Sequence, residues 1–476
     1  MLADYPTTKD FFEVVWSQLG GDPSLTGSIK VEGEGALSSA FAVSDFGAAA
    51  FAAIGASIAE LLSTSGLDSP DVRVNRGLSS AWLRSASRTM GRREVLEMDE
   101  LSDFYRTADD RWLRTHTNYP HHRVRMFEVL GIANAGTKAD LTAAIGRYEA
   151  DVLESLIFEA GGVASASRSL SEWSAHPQGS AVSAEPVVDI TLTQAGERDT
   201  WRPLPERPLV GVRVLDLTRV VAGPAATRIL AGYGAEVLRI DPPGFEEAGG
   251  RAAATGDLTL GKRCARLDLR SREGHANFVE LLRGADILVH GLRPGALDGL
   301  DLGFEVRQAT RPGLIEVTLN AYGWTGPWSD RRGFDSLVQT ASGMALENSR
   351  WAGIEVPIFT PTPILDYGTG YLMAAAAIRG LSERLSTGRG TFTRCALART
   401  AAAIIPVRSV TDEPPIPEPF PGPFEPAVIA TPAGGAQRLV PPVAVGQAQL
   451  RWDRPGELLG SSAPVWAGLA TAGRIW

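Results

Sequence analysis

At 476 residues the chain is long enough for two or three domains around a sizeable buried core. Its 44% apolar and 21% charged residues suit a globular protein, and a net charge of −9 with no basic cluster excludes a nucleic-acid surface. Two cysteines, Cys264 and Cys395, exclude a disulfide framework and a structural zinc site.

The opening MLADYPTTKDFFE is acidic and lacks a basic stretch followed by an apolar core, so it does not read as a signal peptide and a cytoplasmic location is expected. From Ala42 the text AVSDFGAAAFAAIGASIAELL gives an acid, a glycine two residues on, then a helix with small residues on several faces. Its Ala and Gly content and the nearby acid predict a buried core helix rather than a membrane span. The same text returns as PILDYGTGYLMAAAAIRGLSERLSTGRG, with Asp45-Phe46-Gly47 answering Asp366-Tyr367-Gly368 and Leu62-Ser63-Thr64 answering Leu385-Ser386-Thr387. One element is repeated, not a domain. Residues 1–74 form an N-terminal segment carrying the first copy.

Residues 75–197 read as a small α+β domain. Arg111 to Thr117 alternates like a strand, and Arg123 to Leu130 is a helix. Thr137 is an N-cap for a long helix over Lys138–Glu159, and a further helix is predicted over Ser165–Trp173. A linker over 198–208 precedes a segment, 209–405, in which strands and helices alternate. Its opening, LVGVRVLDLTRVVAGPAATRILAGYGAEVLRID, is a βαβ unit: a buried strand to Leu217, a helix over Ala225–Tyr233, and a second strand ending at Asp241. Strands are predicted at Ala265–Leu269, Ile287–Val289 and Leu314–Leu319, and helices at Arg272–Arg283 and Phe304–Thr310. The fold class is therefore α/β: a Rossmann-like parallel sheet with helices on both faces, plus the small α+β domain. Residues 406–476 are a proline-rich linker and a tail, with short alternating runs at Arg438–Val440 and Gln449–Trp452.

Ligands of such sheets sit beyond the carboxyl ends of the strands, which points to Val221–Pro224 and Asp241. A nicotinamide dinucleotide is disfavoured, because G-x-G-x-x-G is missing and Pro224 removes a phosphate-binding N–H. No H-E-x-x-H or Cys/His spacing predicts a metal, and no G-x-S-x-G elbow predicts a hydrolase triad. Three turns suit a phosphate-bearing ligand: Leu260-Gly261-Lys262-Arg263, His290-Gly291-Leu292-Arg293-Pro294-Gly295 and Tyr322-Gly323-Trp324-Thr325-Gly326-Pro327.

The βαβ text, together with GKRCARLDLR, ADILVHGLRPGALDGLDLGF, RPGLIEVTLNAYGWTGPW and GFDSLVQTASG, strongly resembles the family III CoA-transferases over about Leu209–Ile405. Carnitine CoA-transferase, formyl-CoA transferase and α-methylacyl-CoA racemase belong to that family. Residues 75–197 look like its small domain, here placed before the Rossmann-like half, so the order is rearranged and partly duplicated. The resemblance implies transfer of CoA from an acyl-CoA to a small carboxylic acid, with no permanently bound cofactor and with a homodimeric assembly. No membrane and no nucleic-acid partner is implied. Asp366 falls on the nucleophile, whose carboxylate attacks the thioester to form an anhydride and then an enzyme-bound thioester. Gly368 and Gly370 would admit the acyl group and offer N–H groups to its oxygen. The competing reading makes Asp366 a helix cap. Val221, Ala222, Lys262, Leu292 and Arg332 fall on CoA contacts, with Lys262 and Arg332 meeting phosphates or the acyl carbonyl. Pro242 and Gly299 stand where formyl-CoA transferase has arginines, and Gly291 replaces an asparagine. Asp45 reads as structural or a relic.

Two alternatives remain: an acyl-CoA racemase or epimerase of the same fold, and a non-catalytic CoA-binding member. A racemase needs two bases at the α-carbon, and the racemase branch has a histidine before the aspartate of its G-H-D triplet. This chain reads Gly333-Phe334-Asp335, and phenylalanine carries no proton. The expectation is that 2-methylacyl-CoA held with the protein in deuterium oxide keeps its α-hydrogen, as read by mass spectrometry. Deuterium uptake that depends on His116, His121 or His122 would overturn it.

Overall fold

The computed structural model describes every residue except 90–97, 134–135, 197–199, 248–255, 410–412, 418–419, 432–433 and 468–476. Its central sheet has seven strands: β1 (Val188–Ala195), β2 (Arg213–Leu217), β3 (Glu236–Asp241), β4 (Lys262–Arg266), β5 (Ile287–His290), β6 (Ile315–Asn320) and β7 (Arg389–Ala396). Their spatial order is β4-β3-β2-β5-β6-β7-β1. The strands from β2 to β7 run parallel, with Val214 of β2 facing Val237 on one side and Ile287 on the other, while β1 closes the edge antiparallel to β7. The chain steps outward from β2 to β4, then returns to β5 on the other side of β2. That reversal opens a crevice at the carboxyl ends of β2 and β5, where ligands of open α/β sheets bind.

Four helices place the candidate site: α1 (Val43–Thr64), α2 (Ala222–Gly232), α3 (Asp335–Ala341) and α4 (Ile364–Thr387). The predicted start of α2 is three residues late. Pro224 lies in its first turn, where a missing N–H costs nothing, so Ala222-Gly223-Pro224 begins the helix rather than delaying it. Both copies of the repeated element form long helices, and they pack against each other. A Cβ built on Gly368 would lie 2.7 Å from the ring of Phe46, and one on Gly370 would lie 2.3 Å from the Ala222 carbonyl oxygen. Farther along, the Phe51 ring centroid is 4.3 Å from that of Tyr371. The missing side chains thus let α4 sit wedged between α1 and α2. Helix α1 is long and apolar enough to cross a membrane, yet nearly all of it is buried in this interior.

The N-terminal and tail segments are not separate units. Val72–Asn75 pairs on one side with Ile29–Glu32 and on the other with Val443–Val445, and Gly434–Leu439 joins Ser87–Thr89 to Phe424–Thr431. One hydrophobic core runs through α1, α2, α4 and the tail residue Trp452. The Gln449–Trp452 alternation does not form a strand; the Trp452 indole donates to the Arg228 carbonyl (2.8 Å) and stacks on Trp82.

The small unit has its own core, built on Leu101, Leu113, Phe127, Leu141, Leu153 and Ile157. The predicted helix over Lys138–Glu159 is two helices, Lys138–Ile145 and Ala150–Glu159. Gly146 ends the first, and the second starts where Asp109 accepts the Ala150 N–H at 3.1 Å. The predicted helix at Ser165 is replaced by a strand, Ala164–Ala166, paired with Trp112–Thr115; the helix begins at Leu170, behind a capping box of Ser169 and Glu172.

The close contact at Gly370 predicts that Gly370→Ala costs about 1–3 kcal/mol, because the new methyl meets a backbone carbonyl that cannot turn aside. Gly299→Ala, with nothing within 4 Å, should stay within about 0.5 kcal/mol. Urea unfolding of both variants checks the difference.

Candidate active site

Asp366 is the third residue of α4, and its position follows from how that helix begins. The residues before it are prolines and threonines (TPTP), which leave the first turn without a side-chain cap of its own. The cap comes from α3 instead. Asp335 Oδ2 accepts the N–H groups of Leu365 (2.8 Å) and Asp366 (3.1 Å), two of the donors every helix start leaves unpaired. Its other oxygen accepts from Gln339 Nε2 at 2.6 Å, and Gln339 Oε1 in turn accepts the Thr360 N–H at 2.9 Å. The chain entering α4 is therefore held at residues 360, 365 and 366 by one short helix. Asp335 is the cap, and Asp366 is not; the competing reading of Asp366 as its own helix's cap is set aside by this geometry.

The Asp366 side chain is 9% exposed, and its carboxylate accepts no hydrogen bond from any described residue. Burial, and then the neighbouring Asp335, push its pKa well above the ordinary carboxylate value. Burial likewise raises Asp335 to about 6 against the opposing effect of its hydrogen bonds. Two carboxyls so placed titrate as a pair, since the charge on one opposes ionisation of the other. With no donor from a described residue, an ionised Asp366 carboxylate is less well stabilised than one held in an ion pair.

Asp45 occupies the equivalent third position of α1 and has the opposite surroundings. Arg76 Nε and Nη2 bind its two oxygens at 3.0 and 2.8 Å, and Thr8 adds a hydrogen bond at 2.7 Å. Arg76 also meets Glu413 and the Gly35 carbonyl. Asp45 is locked into a structural ion pair, as the structural reading of the sequence has it.

The carried-over CoA contacts divide. Val221 is half-buried in the turn between β2 and α2, and Ala222 begins α2 and is buried against Gly370. The residue before them, Val220, has φ 67°, a left-handed conformation that a β-branched side chain adopts only under strain. Leu292 is half-buried in its turn. Lys262 is a correction. It is the first residue of β4, at the amino end rather than the carboxyl end, and it is 0% exposed. Its ammonium donates to Asp216 Oδ2 (3.0 Å), the Pro224 carbonyl (2.9 Å) and Thr227 Oγ1 (2.6 Å), so all three donors are spent inside the protein. Gly368 and Gly370 are corrected too. Inside α4 their N–H groups serve the helix ladder, and their lack of side chains serves packing against Phe46 and Ala222, not an acyl oxygen. Asp241 does not line the crevice; it is fully buried against Arg239.

Arg332 does stand at the site, half-buried, with only the Gly161 carbonyl near it at 3.4 Å and no acid in ion-pair reach among the described residues. Burial and the charge of Arg293 pull its pKa down. The same two arginines, after burial and His121, hold His122 at about 3. With no acid in ion-pair reach of Arg293 or Arg332 among the described residues, these arginines and the imidazoles of His121 and His122 make a place for an anion. Beside it, the His116 ring lies face to face with Phe334 at 4.0 Å, and burial first of all keeps His116 near 3. Sequence reasoning missed Arg293, although its turn was singled out, and missed the capping role of Asp335. A lone acid thirty residues before the helix it caps leaves no local signal. His122, in the first turn of the helix Pro120–Leu130, also meets Phe334, with ring centroids 5.9 Å apart.

Residues 209–428 match CoA-transferase family III. The α subunit of the succinyl-CoA–L-malate CoA-transferase of Chloroflexus aurantiacus is 36% identical over 45% of this chain and 51% of its own length. The succinyl-CoA:glutarate CoA-transferase of Mus musculus is 31% identical over 44% and 51%, and a probable fatty acyl-CoA transferase of Mycobacterium tuberculosis 31% over 46% and 59%. The chain spans about half the length of the curated relatives it matches.

The interior place of Lys262 predicts that Lys262→Ala costs about 3–5 kcal/mol of stability, since it leaves Asp216 buried and unpaired. Arg332→Ala should leave stability within about 0.5 kcal/mol, having no ion pair to lose. Thermal and urea unfolding of the two variants separate these outcomes. The parallel strands β2–β7, their crevice and α4 all fall within residues 209–428, the span that matches CoA-transferase family III.

Proposed function

We propose that this protein transfers CoA from an acyl-CoA thioester to a carboxylic acid, with Asp366 as the nucleophile. The observation that carries the reading is the buried Asp366 carboxylate, without a hydrogen-bond donor among the described residues and at the start of a helix two of whose free N–H groups are taken by Asp335. A carboxylate there attacks the thioester carbonyl, and the CoA thiolate leaves as an acyl–aspartyl anhydride forms. The thiolate then attacks the aspartyl carbonyl of the anhydride, giving an enzyme thioester and releasing the first acid. Attack of the acceptor's carboxylate on that thioester, followed by return of the thiolate to the acceptor's carbonyl, completes the transfer and restores Asp366. No water enters any of these steps, which suits a nearly closed site.

The cluster of Arg293, Arg332, His121 and His122 suits the phosphates of CoA or the carboxylate of the acceptor. Relatives named for succinyl-CoA with malate or glutarate make a small dicarboxylic acid the acceptor to try first. A homodimer belongs to the same proposal, and light scattering at micromolar concentration reads it.

Intact-mass spectrometry after incubation with a panel of acyl-CoAs tests the reading: a mass gain of one CoA is expected, and Asp366→Asn should lose both that adduct and at least about 10³-fold in turnover. A turnover that survives Asp366→Asn would sink the proposal. The acid pair adds a pH prediction. Asp366 must be ionised to attack, so kcat should rise with pH through the region above about 6, where the pair gives up its protons. Asp335→Asn keeps an oxygen to cap α4 but removes the like charge, which lowers the Asp366 pKa. The acid limb of the pH–rate profile should therefore move to lower pH in that variant, and a limb that stays fixed would contradict the pairing.

A further inference from the structure

At the carboxyl ends of β2 and β3 lies a cavity of about 240 Å³, whose walls include Val220, Arg239, Glu247, Leu258, Thr259 and Leu458. The Glu247 carboxylate is the best-held group in it. Its oxygens accept the Val220 N–H at 3.3 Å each, Arg239 Nη2 at 2.6 Å and the Tyr119 hydroxyl at 3.3 Å. The donors come from three places: the strained turn that leads into α2, the strand β3, and the small unit. The side chain is 8% exposed. A backbone N–H ahead of a helix and a guanidinium converge on a single anion, and here that anion is the protein's own.

We propose that Glu247 is an internal latch, whose carboxylate competes with the phosphates of the ligand for the β2–α2 turn and is displaced when the ligand binds. The inference rests on the reading of this domain as a CoA-binding one. Three features favour a latch over a purely structural contact. Arg239 is satisfied without Glu247, since Asp241 accepts from it twice, at 2.8 and 3.2 Å. The other charges nearby are committed elsewhere: Glu246 to Arg266, Glu457 to the Cys264 N–H and the hydroxyls of Ser461 and Ser462, and Arg219 to Asp241 and the ring of Phe245. The Val220 N–H, by contrast, donates only to Glu247 among the described residues, from a backbone held at φ 67°. Releasing Glu247 thus frees a donor aimed at the cavity and leaves no buried charge unpaired. A binding-competent state that is only fractionally populated weakens apparent affinity by that fraction.

Titration calorimetry of the full chain with CoA, dephospho-CoA and phosphate-free pantetheine tests the latch in wild type, Glu247→Gln and Glu247→Ala. Glu247→Ala should bind CoA about tenfold more tightly than wild type, with Glu247→Gln between them because it keeps the shape but loses the charge. Dephospho-CoA, which retains the pyrophosphate, should gain as CoA does, and pantetheine should gain nothing. CoA affinity that is unchanged or weaker in both variants overturns the latch while leaving the CoA reading intact, and so does an equal gain for pantetheine. Absence of CoA binding by wild type and both variants removes the CoA reading itself, and the latch with it.

Discussion

The first turn of α4 is held by one carboxylate, and much of the site depends on it. A helix start leaves N–H groups that must be paired, and TPTP supplies no side chain to pair them. Asp335 does so from α3, and in doing so it brings a second acid beside Asp366. Asp335 fixes the backbone of Asp366, and it adds to the rise in the Asp366 pKa that burial causes first. Gln339 extends the hold to Thr360, so the approach to the helix is as firmly placed as its start.

The repeated helix shows how surroundings decide the chemistry of a residue. Asp45 and Asp366 share a helix position, an aromatic neighbour and a glycine two residues on. One is bound by Arg76 through two hydrogen bonds and is neutralised; the other faces a second acid and nothing cationic in hydrogen-bond reach among the described residues. The two helices also depend on each other, because Phe46 of the first fills the space that Gly368 of the second leaves open. The helix whose acid is held in an ion pair thus serves as the packing partner of the helix whose acid is not.

Buried charge supports the crevice from beneath. Burial pushes the Asp216 carboxyl up, and the Lys262 ammonium and Arg239 more than offset this, so it stays ionised below its ordinary value. Lys262 ties Asp216 on β2 to Pro224 and Thr227 on α2, and so fixes the turn containing Val220 between them. The strain at Val220 persists because the strand before it and the helix after it are both anchored. A lysine that the motif places on the ligand acts one layer deeper, on the loop that would meet the ligand.

The sequence alone determined the alternation of buried strands with amphipathic or small-residue helices, and hence the α/β class; Arg272–Arg283 and Phe304–Thr310 fall where periodicity puts them, because the local period of apolar residues survives folding. It also singled out Asp366 and the basic turn of Arg293. The tertiary structure decided what each of these residues meets. Lys262 pointed inward because its strand begins at the far end of the sheet, and Gly370 was needed by Ala222 rather than by a ligand. Asp335 became the cap of a helix thirty residues away, and His116 came to lie on Phe334 across more than two hundred. Periodicity reports which face of an element is buried, but hydrogen-bond partners and pKa shifts depend on groups brought together from distant parts of the chain, and no local pattern encodes that distance.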